Sequence, residues 1–400
     1  MIIFFQRSLL ALRMTELVWP KMKKSVVYVT DIPHWAGSTL SLKDMLSSLR
    51  EYFNPIVLVY AKGEVYEYMV SQGIEVYVVP YDYNYLLARD NVVIKFLHHV
   101  ARSLRHWLLL KKGLRIALPI LRSRDISLVH SNTSAVDFGY HLSRKLHAKH
   151  VWHVREMLPL FNKARIIGGL EHLKRQMSRS NKLIFISKAC RDYWNINCEE
   201  NKICIIGDAI RSKTDTVYVK EKKKYILFCS QRLTAFKGAD VAIKAFGNSS
   251  LPSKGYRLKL IGTCDSSYKI ELDRIALELK IEGIIDFLGR MESSEIRGYM
   301  QDATALIQPS KMEGLGRVAI EAMFYGCPVV ARNCGGTLDF VEDGKTGYLW
   351  NTEEECAALL DKVSLGENED IILKAQRLVA EKYSIEGYAS QMMEVYNTLL

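Results

Sequence analysis

Short apolar runs recur along the whole chain, each followed by a turn and then by a segment with apolar residues at helical spacing. Uninterrupted apolar runs bounded by turn residues predict strands buried on both faces. In the first half the pattern predicts strands over Val26–Thr30, Ile56–Tyr60, Glu75–Val79, Ser127–His130, His150–Val154, Leu183–Ile186 and Lys202–Ile206. Helices are predicted over Thr39–Glu51, Glu64–Gln72, Asp137–Leu146 and Lys188–Trp194. The pattern restarts with strands over Tyr225–Cys229, Leu258–Ile261 and Ala303–Gln308, the last ending at Pro309. The alternation implies parallel sheets with right-handed crossovers. Between the halves, Lys213–Lys224 is polar and highly charged and reads as a linker. The expected organisation is a leader of doubtful structure at 1–21, a domain over 22–212, a linker at 213–224, a second domain over 225–383 and a closing helix at 384–400. Met22-Lys23-Lys24 runs straight into the first strand, so Met22 is read as the natural start.

One amphipathic stretch stands apart. From Val93 to Leu121 apolar residues fall at helical spacing (Val93, Leu97, Val100, Leu104, Trp107 and Leu108), with Lys95, Arg102, Arg105, Lys111, Lys112 and Arg115 between them. Such a helix lies on a membrane surface or packs on the core with a solvated basic face, and spacing does not separate the two. Charge favours the first. The net charge is +11. Residues 1–210 hold 30 basic against 17 acidic residues, +13, and the remainder 25 against 27, −2. An anionic partner is thus expected for the first half only. No recognition motif for nucleic acid is present, which leaves an anionic membrane surface. No run reaches the length that spans a bilayer. The eight cysteines are scattered without a metal-binding spacing, as in a protein with reduced thiols.

Candidate chemistry sits on three loops. Glu313-Gly-Leu-Gly-Arg-Val-Ala-Ile-Glu321 joins a buried strand to a helix and holds two carboxylates with seven residues between. Free N–H groups at a helix start attract anions, and carboxylates accept from sugar hydroxyls. The arrangement can therefore hold a diphosphate between two sugars. Equally, Glu313 can cap the helix and Glu321 lie in solvent. Arg232 and Lys237 follow the strand Tyr225–Cys229, where two cations can hold a pyrophosphate, although most such residues are merely at the surface. Gly37, on the loop after the first strand, allows a close phosphate approach or a simple turn. His153 falls at a strand end, where a structural role competes with one near the reacting sugar. Arg155 and Glu156 can serve an acceptor or pair with each other. There is no Asp-x-Asp pair of the kind that holds a divalent metal on a diphosphate.

These segments resemble the family 4 glycosyltransferases of the GT-B fold, over the chain from about Lys23 to its end. The likeness rests on the Glu313/Glu321 loop with the following Ala-Met-x-x-Gly-x-Pro-Val-Val-Ala, and on the Arg232-Leu-x4-Lys237-Gly-x-Asp loop. Phe287-Leu288-Gly289 and the Gly335-to-Gly347 turn add to it. The resemblance implies an α/β fold with two Rossmann-like domains facing across a cleft. It implies a retaining hexosyltransferase that needs no metal or other cofactor, with a nucleotide-diphosphate sugar as co-substrate. Arg232 and Lys237 would bind the diphosphate, Glu313 would face the transferred sugar and Glu321 the ribose. The amides of Gly314, Leu315 and Gly316 would meet phosphate or sugar oxygens, Gly37 the donor, and His153 the transferred sugar. The expected acceptor is a saccharide, lipid-linked, in cell-surface polysaccharide synthesis at the cytoplasmic face of the cell membrane. Two departures are visible. Gly207-Asp208-Ala209 replaces an Asn-Gly turn, and Gly262-Thr263-Cys264-Asp265 replaces a Gly-x-Gly, which bears on contacts to the base. The rivals are a nucleotide-sugar epimerase on the same fold, which would isomerise donor alone, and a non-catalytic membrane- or nucleic-acid-binding protein.

Overall fold

The computed structural model describes residues 23–86, 92–157 and 165–400; the expected leader 1–21 and the start at Met22 lie outside them. Two parallel sheets dominate. The first joins β1 (Ser25–Val29), β2 (Asn54–Val59), β3 (Glu75–Val78), β5 (Ile126–Ser131), β6 (Lys149–Val154), β8 (Lys182–Phe185) and β9 (Ile203–Ile205). Their order is β3-β2-β1-β5-β6-β8-β9. The second orders β12 (Ile285–Gly289), β11 (Arg257–Cys264), β10 (Lys223–Leu233), β13 (Ala303–Gln308), β14 (Val329–Arg332) and β15 (Tyr348–Trp350). Each sheet reverses its strand order beside its first strand. That reversal opens a crevice at the carboxyl ends of the strands, the place where doubly wound sheets bind ligands. A small antiparallel pair, β4 (Tyr85–Leu86) with β7 (Arg165–Ile166), lies outside both sheets.

The strands hold because their residues are apolar on both faces. Val26, Val27, Tyr28, Ile56, Val57, Leu128 and Val129 are fully buried, as are Ile226, Leu227, Leu258, Ala305 and Leu306. Strand β10 extends four residues past the predicted Cys229. Its tip pairs with β11 through Arg232 and Thr263. Arg232 therefore sits on a strand end and not on a loop.

The helix Ile385–Asn397 returns from the second half of the chain to the first sheet. Its Tyr388, Met392, Val395 and Tyr396 pack among Val26, Tyr28, Leu42 and Leu46. Ser384 caps it by accepting from Gly387 N–H. Just before it, the chain runs beside the connection between the sheets: Ile210 N–H donates to Tyr383 O and Ile385 N–H to Arg211 O, both at 2.9 Å.

The basic amphipathic segment is one helix, Val92–Arg122. The side chains of Val93, Lys95 and Leu97 lie outside the described residues. A second apolar stripe, including Ala117 and Leu121, faces the core. A side chain at Gly113 would collide with the Pro80 carbonyl, so glycine is what lets the helix lie close. The stripe singled out in the sequence faces outward: Val100 is 49% exposed, Leu104 56%, Trp107 49% and Leu108 53%. Among the described residues no helix is long and apolar enough to cross a membrane.

Candidate active site in the cleft between the sheets

The carboxyl ends of both sheets face a cavity of about 670 Å³. From the first sheet it is lined by Asp31, Gly37, Ser38, Arg155 and Glu156, and from the connection between sheets by Asp208. The second sheet supplies Arg232, Lys237, Gln308, Glu313, Leu315, Gly316 and Arg317. Segments scattered from residue 31 to residue 317 are thus brought together by two switch points facing each other.

On the second sheet's side, Lys237 Nζ lies 2.7 Å from Glu313 Oε1, and Gln308 Nε2 donates to the same oxygen at 3.1 Å. Lys237 is placed by Gly238, whose left-handed φ of 78° starts the helix Ala239–Asn248. A Cβ there would stand 2.6 Å from the Pro309 carbonyl, so glycine lets this loop tuck against the β13 loop. Gly316, φ 93°, likewise starts the helix Arg317–Phe324. The first-turn N–H groups of such a helix have no intrahelical acceptor and form an anion-attracting end. Arg232 Nη2 reaches both Asp265 oxygens, at 2.8 and 2.6 Å. Asp265 is therefore the partner of Arg232, a role the departed Gly-x-Gly did not reveal. Each cation expected at the diphosphate rests on a carboxylate.

Of the other expected residues, Gly37 lies on the cavity wall and Gly314, Glu321 and His153 do not. Gly37 lines the cavity as the first residue of the helix Gly37–Leu49, without a strained φ. Gly314 and Glu321 are not among the lining residues. A Cβ on Gly314 would stand 3.5 Å from the Arg155 carbonyl oxygen. Glu321 pairs with Arg211 Nη2 at 3.4 Å, and Arg211 Nε donates to the Tyr325 hydroxyl at 2.6 Å. His153 is fully buried and also absent from the cavity wall. Alternation along β6 turns it, with Val151, to the face covered by the closing helix, beside His130 at 5.5 Å. Burial keeps its pKa well below the usual range, and the charge on Arg155 adds to this, so the imidazole is neutral. It meets the cleft through Arg155, Nη2 to Nδ1 at 3.2 Å.

Arg155 and Glu156 do not pair with each other. Arg155 Nη1 is bound to Asp208, and its Nε donates to Asn132 O at 3.0 Å. Arg317 Nη1 reaches the other Asp208 oxygen at 3.0 Å and Ser41 Oγ at 2.9 Å. Burial pushes Asp208 up, but Arg155 and Arg317 outweigh it and hold its carboxyl below the usual range. Arg317 thereby joins the start of the Glu313/Glu321 helix to the first sheet's side of the cleft. Glu156 accepts from the Thr133 hydroxyl at 2.8 Å and from Ser134 N–H at 3.1 Å. Its pKa rises to about 7, through burial first and the charge of Asp31 second. Asp31, also raised by burial, accepts from Ser38 Oγ at 2.9 Å. Among the described residues no group of three or more His, Cys, Asp or Glu stands ready to hold a metal ion.

Residues 211–384 match the family model of glycosyl transferases group 1, so this part of the chain carries such a domain. An uncharacterized glycosyltransferase from Methanocaldococcus jannaschii is 26% identical over 335 residues, 82% of this chain and 91% of that protein. An uncharacterized glycosyltransferase from Haemophilus influenzae is 28% identical over 212 residues, and there the aligned part is 58% of its length. Among solved structures, HepE from Anabaena in complex with UDP superposes with a TM-score of 0.74 at 20% identity, covering 94% of this chain and 100% of that one. The lipopolysaccharide outer core galactosyltransferase WaaB, apo form, gives 0.70 at 15% identity, over 94% and 100%. The two facing parallel sheets are the GT-B fold, as expected from the sequence.

Proposed function

We propose that this protein is a retaining, metal-independent hexosyltransferase that uses a nucleotide-diphosphate sugar and a lipid-linked saccharide acceptor in cell-surface polysaccharide synthesis. The observation that carries the reading is the convergence of Lys237, Arg232, Glu313 and the start of the helix Arg317–Phe324 on one wall of the cleft. HepE, with the same fold, was solved with UDP and with UDP-glucose, and WaaB is a lipopolysaccharide outer core galactosyltransferase. In the proposed step the bond from the sugar's anomeric carbon to the diphosphate breaks, and the acceptor oxygen bonds to that carbon on the same face. The acceptor's proton passes to the leaving diphosphate. Negative charge grows on that group, and Arg232, Lys237 and the helix-start amides stabilise it. The direct test is a thermal-shift screen of nucleotide-diphosphate sugars, since a ligand of the native state raises the unfolding temperature. No stabilisation by any of them would overturn the proposal.

Two carboxylate variants separate the sugar contacts. Glu313→Gln is expected to impair transfer more than binding of the free nucleotide diphosphate. Glu321→Gln is expected to weaken both, because the proposed ribose contact replaces the present Arg211 pair. Calorimetric titration decides it. Unchanged nucleotide affinity in Glu321→Gln would leave Glu321 as a residue that ties the connection between sheets to the helix.

The site of action we propose is the cytoplasmic face of the cell membrane, with the helix Val92–Arg122 on an anionic lipid surface. Leu104, Trp107 and Leu108 are exposed beside Lys111, Lys112 and Arg115, and Lys111 Nζ lies 3.4 Å from the centre of the Trp107 ring. Each basic residue near such a surface contributes about 1 kcal/mol, screened by salt. Changing Lys111, Lys112 and Arg115 to Gln is therefore expected to weaken co-sedimentation with anionic vesicles by about a hundredfold. Equal binding to neutral vesicles, or unchanged binding of the triple variant, would overturn the docking.

A further inference from the structure

A second cavity, of about 260 Å³, shares Asp31 with the main cleft and runs beneath the helix Val92–Arg122. We propose that it is the subsite for an acceptor saccharide that carries an anionic group, with the sugar against tyrosines and the anion at Arg102 and Arg105. This deepens the transferase reading and rests on it.

The tyrosines come from the carboxyl end of the first sheet. Tyr60 follows β2, and alternation after β3 places Tyr81, Tyr83 and Tyr85 in succession. Tyr81 is buried, and its hydroxyl lies 2.8 Å from Thr30 O, so it is part of the floor. Tyr60 and Tyr83 remain half-buried, with ring centres 6.2 Å apart and edge to face. Such a wall offers apolar ring faces to the C–H side of a sugar and hydroxyls to its polar rim.

The opposite end is cationic. Arg102 Nη1 and Arg105 Nε both lie 3.2 Å from the same Asp82 oxygen. Two guanidinium groups thus share one carboxylate, which fixes them and leaves one positive charge in excess at this end, the other carboxylate of the cavity, Asp31, being the one it shares with the cleft. Arg102 is largely covered, while the Arg105 side chain is 61% exposed. A planar guanidinium fork matches a phosphate or carboxylate. These arginines stand on the helix whose outer residues Leu104, Trp107 and Leu108 are exposed. From the cleft outward the order is therefore reacting site, tyrosines, cations, apolar surface. A molecule built as saccharide, anion and lipid has that order.

The test uses the full chain saturated with the nucleoside diphosphate that the thermal screen selects, UDP being the first tried, so that the donor site is filled, and saturation-transfer NMR of glucose 1-phosphate, glucuronate, glucose and inorganic phosphate. An anionic sugar is expected to bind at least about tenfold more tightly than glucose or inorganic phosphate alone. Preference for glucose 1-phosphate assigns the anion as a phosphate, and preference for glucuronate as a sugar acid. Arg105→Gln, at an exposed position, and Arg102→Gln are each expected to weaken the anionic sugar about tenfold, and Tyr83→Ala to weaken charged and neutral sugars alike. Nucleoside diphosphate affinity is expected to stay unchanged in all three. Equal binding of glucose and the anionic sugars, no binding of either anionic sugar, or an unaffected Arg105→Gln would overturn the subsite while the nucleoside diphosphate still binds. Failure of the wild-type protein to bind any nucleoside diphosphate would instead overturn the transferase reading.

Discussion

Lys237→Ala is expected to lower transfer by about 10²–10³-fold without unfolding the protein, since a single preorganised donor to a developing oxyanion typically supplies that much. Lys237 is held by Glu313, which is itself anchored by Gln308. The cation is thus already on the wall of the cleft and needs only to exchange one anionic partner for another. Arg232→Ala is expected to act in the same direction and less strongly. The Arg232 side chain is 61% exposed and must leave its pair with Asp265, made through Nη2 alone, before it can meet a phosphate. Single-turnover rates with the donor identified by the thermal screen provide the comparison. Near-normal turnover in Lys237→Ala would remove the electrostatic account of the leaving group. Activity that EDTA abolishes and Mg²⁺ restores would show that a metal carries the charge these two residues are proposed to carry.

Asp208→Ala is expected to cost roughly 3–5 kcal/mol of folding stability, the range for stripping one partner from a buried ion pair. Arg155 is 7% exposed, and Asp208 is its carboxylate partner. The remaining Arg155 contacts, to Asn132, His153 and the Tyr388 hydroxyl, are to neutral groups, and the more distant carboxylates of Glu156 and Asp31 offset the charge only in part. The substitution also frees Arg317 from one of its anchors on the first sheet's side. Urea unfolding monitored by circular dichroism measures the difference. A loss under about 1 kcal/mol would mean that water enters the cleft and solvates Arg155, contrary to its burial.

The fold was legible because both sheets are runs of Val, Ile, Leu and aromatic residues set off by glycine and proline. The loops carrying Glu313 and Lys237 were legible for the same reason, since a strand end followed by a helix start fixes where they lie. The rest depends on contacts distant in sequence. Strand β10 continues through Ser230, Gln231 and Arg232 because its tip keeps hydrogen-bonding to β11 after leaving the core, so hydrophobicity alone marks its end too early. The orientation of His153 is decided by a helix more than two hundred residues later in the chain. The partner of Arg155 is Asp208 and not the adjacent Glu156, and nothing in local spacing points across that interval. The helix Val92–Arg122 carries two apolar stripes, of which the sequence reading singled out one, and periodicity does not say which face meets the core.

The return of the helix Ile385–Asn397 has a consequence for biosynthesis. Tyr388, Met392, Val395 and Tyr396 belong to the same apolar cluster as Val26, Tyr28 and Leu42, so one face of the first sheet, covered otherwise by the helices Gly37–Leu49 and Glu64–Ser71, stays partly open until that helix is made. Its final strand, β9, ends at Ile205, and the covering helix begins at Ile385, 180 residues later. At ribosomal speeds of about 5–20 residues per second, the nascent first half waits roughly ten to forty seconds for its own lid. During that interval the second sheet emerges and can fold beside it, and the incomplete first half is the surface a chaperone would meet.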